Sequence, residues 1–171
     1  MTDAYEIPTG VFPHHSPRLP DNIGKVVMLA AVLETKIESL ASGVDNRYQE
    51  VHGGGGLAGS APTIRRRLRL YNQNPYEISF ANRTEPFLVA SKRVLDERNF
   101  IVHGVWAKTT DAGWWAWKPR RYRKGVNGGN WIEGKELAES DFVRICDELI
   151  DLIREAQELF SIAGSIPRRK D

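Results

Sequence analysis

Arg98, Asn99 and His103 are the side chains of this sequence best suited to chemistry, and they lie together in Arg98-Asn99-Phe100-Ile101-Val102-His103-Gly104. At about 100° per residue, a helix stacks Asn99 almost beneath His103 and sets Arg98 on their flank, all within an arc of about 140°. Guanidinium offers a planar fork of donors that fits a phosphate and fits it better as charge grows in the transition state. Imidazole takes up and releases a proton near neutral pH. An amide orients either neighbour by hydrogen bonding. That combination suits phosphodiester chemistry. A plain helix end also favours a cation, a histidine and a following glycine, so the same residues have a purely structural reading. The spacing recurs once, from Arg47 to His52, without the asparagine and running into Gly53-Gly54-Gly55-Gly56. We read that second copy as coincidence.

A basic run follows the motif. Lys118-Pro119-Arg120-Arg121-Tyr122-Arg123-Lys124 places five cations in seven residues, directly after Trp114, Trp115 and Trp117. Cations for backbone phosphate beside aromatic faces for stacking are what single-stranded RNA binding uses. Lys118, Arg120, Arg121, Arg123 and Lys124 are therefore the candidate RNA-binding residues, and the same run reads equally as a solvated hairpin tip, since basic runs are common on surfaces. The tryptophans read differently, because period-2 alternation predicts Trp115 and Trp117 buried on one face of a strand. His14-His15 has no thiol or carboxylate nearby in sequence and reads as a loop. Cys146 is the single cysteine, so an intrachain disulfide is excluded and thiols are too few for a zinc cluster. It falls on an apolar helical stripe and reads as a small core residue. The four glycines lack the Lys-Ser/Thr of a phosphate loop, since Leu57 follows them, and read as a flexible connection.

The positioning elements are mostly helical. Asp21 is the expected N-cap of a helix over about 22–42, with Ile23, Val26, Val27, Ala30, Leu33, Ile37 and Leu40 at one-face spacing. Glu34 sits beside that stripe, either as its flank or as a half-buried acid with a basic partner. Pro62 opens a short basic helix whose Ile64, Leu68 and Tyr71 face inward. Thr84 is the expected cap of the motif helix, with Glu85 and Pro86 in its first turn, and Gly104 ends it. Val105–Thr110 and Trp114–Lys118 flank Asp111-Ala112-Gly113 as a β-hairpin, and Trp131-Ile132 returns as a third short strand. A last amphipathic helix covers about 140–162, from Phe142 to Phe160. The reading is thus mainly α: one antiparallel helical bundle over 21–165 with a small β-hairpin, about 104–132, before the last long helix. A proline-rich arm (1–20) precedes it and a basic tail (166–171) follows.

Glu97-Arg98-Asn99-Phe100-Ile101-Val102-His103-Gly104, preceded by Asp96 and placed at the end of a long helix, resembles the signature of HEPN domains. Those are small all-helical domains whose Arg-x4–6-His motif marks many metal-independent endoribonucleases. The likeness extends as architecture over about 21–162, including a first helix that carries a glutamate, here Glu34. It implies Arg98 and His103 as catalytic residues, with Asn99 accompanying them, and needs neither metal nor cofactor. It also implies RNA as substrate and a toxin or defence-effector role with a cognate antitoxin protein. A homodimer with Arg98, Asn99 and His103 near its two-fold axis follows too, because one protomer supplies only one arginine and one histidine. The alternative is a non-catalytic interaction or nucleotide-binding module of the same fold. The sequence departs from the toxins paired with nucleotidyltransferases, which carry tyrosine two residues after the histidine, where Val105 stands.

Length and charge set the outer bounds. The chain has 171 residues, 41% of them hydrophobic, enough for one domain with a sizeable core. Twenty-four Lys+Arg against 22 Asp+Glu leave a net charge of +2, so any nucleic-acid contact must come from local clustering. No run approaches the ~20 apolar residues of a membrane span, and the N-terminus lacks a signal-peptide pattern. A reducing cytoplasm is the expected location.

Overall fold

The computed structural model describes residues 18–45, 55–108, 113–121 and 130–166. These form four helices and a three-stranded antiparallel sheet: α1 (Arg18–Val44), α2 (Gly56–Leu68), α3 (Pro75–His103), β1 (Val105–Lys108), β2 (Gly113–Arg121), β3 (Asn130–Ala138) and α4 (Glu139–Ser165). The chain is mainly helical with a small sheet before the last helix, as its periodicities predict. His14, His15, Arg47, His52, Arg123 and Lys124 lie outside the described residues.

α1 packs chiefly against α4 and α2, and α3 lies against α4 and α1. Val26, Ala30, Leu33, Ile37 and Leu40 are fully buried at the expected spacing, whereas Val27 turns outward. The core side of α4 runs through Phe142, Ile145, Leu149, Ala156 and Leu159, and Phe160 is exposed rather than buried. Cys146 is half-buried against the core, which raises its thiol above the ordinary value by desolvation. Charged rims brace the layers. Arg83 is raised above its ordinary value, first by its hydrogen bonds to Glu155 and Glu158. Arg144 is raised likewise, chiefly by its bond to Glu97 at 3.0 Å. Among the described residues no helix is long and apolar enough to cross a membrane.

Three expected helix starts move. α1 already includes Arg18, Leu19 and Pro20, so Asp21 lies in its first turn, where an acid meets the positive end of the helix dipole. α2 starts at Gly56, and Pro62 is carried inside it. α3 starts at Pro75: Asn74 is the N-cap, its side chain accepting from the Glu77 amide at 2.9 Å. Thr84 is an interior residue whose buried hydroxyl donates to the Phe80 carbonyl at 2.7 Å. A proline two residues later imitates a helix start, but here it is one residue of a 29-residue helix.

The sheet has the order β1-β2-β3 and extends past the expected third strand to Ala138. Its alternation is the reverse of the expected one. Trp114 is 5% exposed and meets Phe142 edge-on at 5.7 Å, and Ala116 is fully buried. Trp115 is 42% exposed and lies across Gly134. The Trp117 side chain lies outside the described residues. A hairpin's side-chain parity depends on its register, and a one-residue difference exchanges the faces. β2 also continues through Pro119 to Arg121, where a basic loop is expected. β1 ends its pairing at Trp117, so Pro119 has only β3 beside it and its missing N–H disrupts no second ladder.

Candidate functional site

α3 presents Phe87, Ser91 and Val94 to the core, and Arg98 continues that stripe at the next turn. A guanidinium aimed into a helix interface needs an acid, and α1 supplies it. Arg98 Nη2 donates to Glu34 Oε2 at 2.6 Å, with the side chains 20% and 33% exposed. Arg98 Nη1 donates to Asn99 Oδ1 at 3.0 Å. Both terminal nitrogens are thereby oriented, while Nε is buried without an acceptor among the described residues. Of the two sequence readings of Glu34, the half-buried acid with a basic partner is the one observed.

Two further residues complete the polar cluster. Glu38, one turn along α1, accepts from the amides of Gly55 and Gly56 at 3.1 and 2.8 Å through the same oxygen. This carboxylate caps α2, whose first N–H groups otherwise lack acceptors. Gly56 has φ +54°, and a Cβ there would stand 2.8 Å from Glu34 Oε1. The end of the glycine run is therefore a close-packed wall of the Arg98 site, where the sequence reads as a flexible connection. Glu38 was not singled out by sequence reasoning; the signal was its i, i+4 spacing from Glu34 ahead of a glycine-rich segment.

His103 ends α3 and is exposed, one helical turn beyond Asn99 on the same side. Gly104 follows with φ −75°, and the need there is for space: a Cβ would lie 2.9 Å from the Phe100 carbonyl. Val102 and Val105, near His103 along the chain, are exposed. Arg98 and Asn99 are thus joined by a hydrogen bond, and His103 stands beyond them at the surface.

No family model, curated protein or solved structure matches the chain.

The basic run is divided by the structure. Lys118 Nζ donates to the Asn99 main-chain carbonyl at 3.1 Å, so this lysine belongs to the end of α3. Arg120 and Arg121 lie on β2, paired opposite Trp131 and Asn130, with their side chains outside the described residues. A cavity of about 450 Å³ opens elsewhere on α3, lined by Lys92, Arg93, Asp96 and Phe100 with Lys135 of β3, and Arg98, Asn99 and His103 do not line it.

Proposed function

We propose that the chain is a metal-independent endoribonuclease of the HEPN type. The observation that carries the reading is the oriented Arg98 guanidinium, fixed by Glu34 and Asn99, beside an exposed His103 one turn further along α3. In the proposed reaction His103 accepts the ribose 2′-hydroxyl proton, and the 2′-oxygen attacks the adjacent phosphorus. The bond to the 5′-oxygen breaks, that oxygen takes a proton, and a 2′,3′-cyclic phosphate remains. Arg98 stabilises the extra charge on the five-coordinate phosphorus, a role its preset orientation favours. A homodimer about the α3 ends would bring two such sets together, so that one histidine serves as base and the other as acid. Exposed Val102 and Val105 give that contact an apolar rim. A toxin or defence effector held by an antitoxin protein is the biological role that fits such an activity.

A second reading is favoured by the same ion pair. Glu34 already neutralises Arg98, which suits a non-catalytic module in which the arginine locks α3 to α1. The test is incubation of the wild type and His103→Ala with total RNA in EDTA. Cleavage by the wild type alone, leaving cyclic phosphate ends, supports the enzyme. Equal inactivity of both supports the module.

A further inference from the structure

We infer that the sheet is part of the site and that Lys118 is its second phosphate-binding cation. This rests on the phosphodiester reading given above. On β2 the residues facing the helices are Trp114 and Ala116, both buried, and period 2 puts Lys118 next on that side. Beyond the pairing with β1 the strand reaches the end of α3, and the ammonium meets the Asn99 carbonyl at 3.1 Å. Asn99 therefore gathers two cations, Arg98 through its side-chain oxygen at 3.0 Å and Lys118 through its main-chain oxygen.

Their partners differ. Arg98 has Glu34, whereas Lys118, opposite Glu133 in the strand pairing, has the Asn99 carbonyl as its hydrogen-bond acceptor among the described residues. An ammonium has three donor protons, and the Asn99 carbonyl takes one. The others remain for an anion beside the Asn99–His103 face. A helix cap alone accounts for a lysine at a carbonyl, but a surface position would serve that purpose without half-burying the side chain on the core-facing side of a strand. Two cations on adjacent elements, Arg98 oriented by Glu34 and Asn99 and Lys118 held at the Asn99 carbonyl, form a seat for a single phosphate of an RNA backbone. The sheet delivers the second of them.

The experiment uses fluorescein-labelled single-stranded RNA carrying 2′-O-methyl riboses, which binds without being cleaved. Its Kd is measured by anisotropy over a range of salt concentrations, with cleavage of the unmodified RNA in parallel. Wild type, Lys118→Gln, Lys118→Arg and Lys135→Gln are compared, and the melting temperature of each is recorded. The expected result is about tenfold weaker binding by Lys118→Gln with a log Kd–log salt slope smaller by about 0.7, the loss of one phosphate contact. Lys118→Arg should restore most of the binding, and Lys135→Gln should stay within about twofold of wild type, as befits a cation outside the seat. Unchanged Kd and slope in Lys118→Gln, while the wild type binds and cleaves, overturn this inference alone. A fall in melting temperature with an unchanged slope makes Lys118 a helix cap and also overturns it. A wild type that neither binds nor cleaves overturns the phosphodiester reading and this inference with it.

Discussion

Replacing Glu34 by alanine strands the Arg98 guanidinium in a helix interface. The pair is a charge-assisted bond of 2.6 Å between side chains 20% and 33% exposed, intermediate between a surface pair and a buried one. Exposed pairs contribute about 0.2–1 kcal/mol, and breaking a buried pair costs about 3–5 kcal/mol. Among the described residues Nε is already without an acceptor, and the Asn99 contact alone would remain. A loss of about 2 kcal/mol follows, or about 4–8 °C in melting temperature for a domain of this size. Glu34→Gln, which keeps the shape and one acceptor, should lose about half as much. Adding Arg98→Ala should recover part of the loss, because it removes the uncompensated charge. The double-mutant cycle should show a coupling of about 1–2 kcal/mol. RNA cleavage, if limited by the aim of the guanidinium, should fall about 10- to 100-fold in Glu34→Ala with the fold retained. Thermal melting and cleavage on the same preparations decide the matter. Additive single mutants with unchanged melting would refute the claim that Glu34 holds Arg98.

Gly56→Ala should lower stability by about 1–2 kcal/mol, since φ +54° is strained for any residue with a Cβ and that atom would press on Glu34; a melt within 1 °C of wild type, on a scale of roughly 2–4 °C per kcal/mol, would contradict it. Trp114→Ala should destabilise by about 3–5 kcal/mol and Trp115→Ala by about 1 kcal/mol or less, as judged by urea unfolding; the opposite order would restore the reversed face assignment. Cys146 should react with iodoacetamide more slowly than a free thiol at pH 8, because burial raises its pKa. The folded chain then holds the thiol proton more tightly than the unfolded chain does. That contribution to stability is complete below the ordinary thiol range and is lost as pH rises through the raised folded value. Fast labelling in the native state at pH 8 would show the thiol to be more accessible than its packing implies.

Helix content and core faces were legible because α1 and α4 repeat apolar residues over seven turns. The boundaries were less legible where a local signal had a tertiary explanation. Thr84-Glu85-Pro86 looks like a helix start, yet Asn74 caps α3 ten residues earlier and packing of Phe80 and Phe87 carries the helix across the proline. The strand faces differ from the sequence expectation for another reason. Three tryptophans in four residues satisfy either parity, and only pairing with β3 and contact with Phe142 choose Trp114. At the site, the motif residues could be named from spacing alone. The Glu34–Arg98 pair could be posed as one of two choices. Glu38 is marked only by its i, i+4 spacing from Glu34. The place of Gly56 depends on how α2 returns to α1, and the reach of Lys118 to Asn99 on how β2 returns to α3, which no local pattern encodes.

The most direct test of the central claim is RNA cleavage in EDTA by the wild type, Arg98→Lys and His103→Ala, with melting temperature measured on each preparation. Lysine keeps the charge of Arg98 but cannot keep a fork that serves Glu34, Asn99 and a phosphate together. The account predicts cleavage to cyclic phosphate ends by the wild type. It predicts a ten- to thousandfold loss in Arg98→Lys, roughly the range for a transition-state donor, and abolition in His103→Ala, all three remaining folded. Full cleavage by either variant, or none by the wild type, would contradict it.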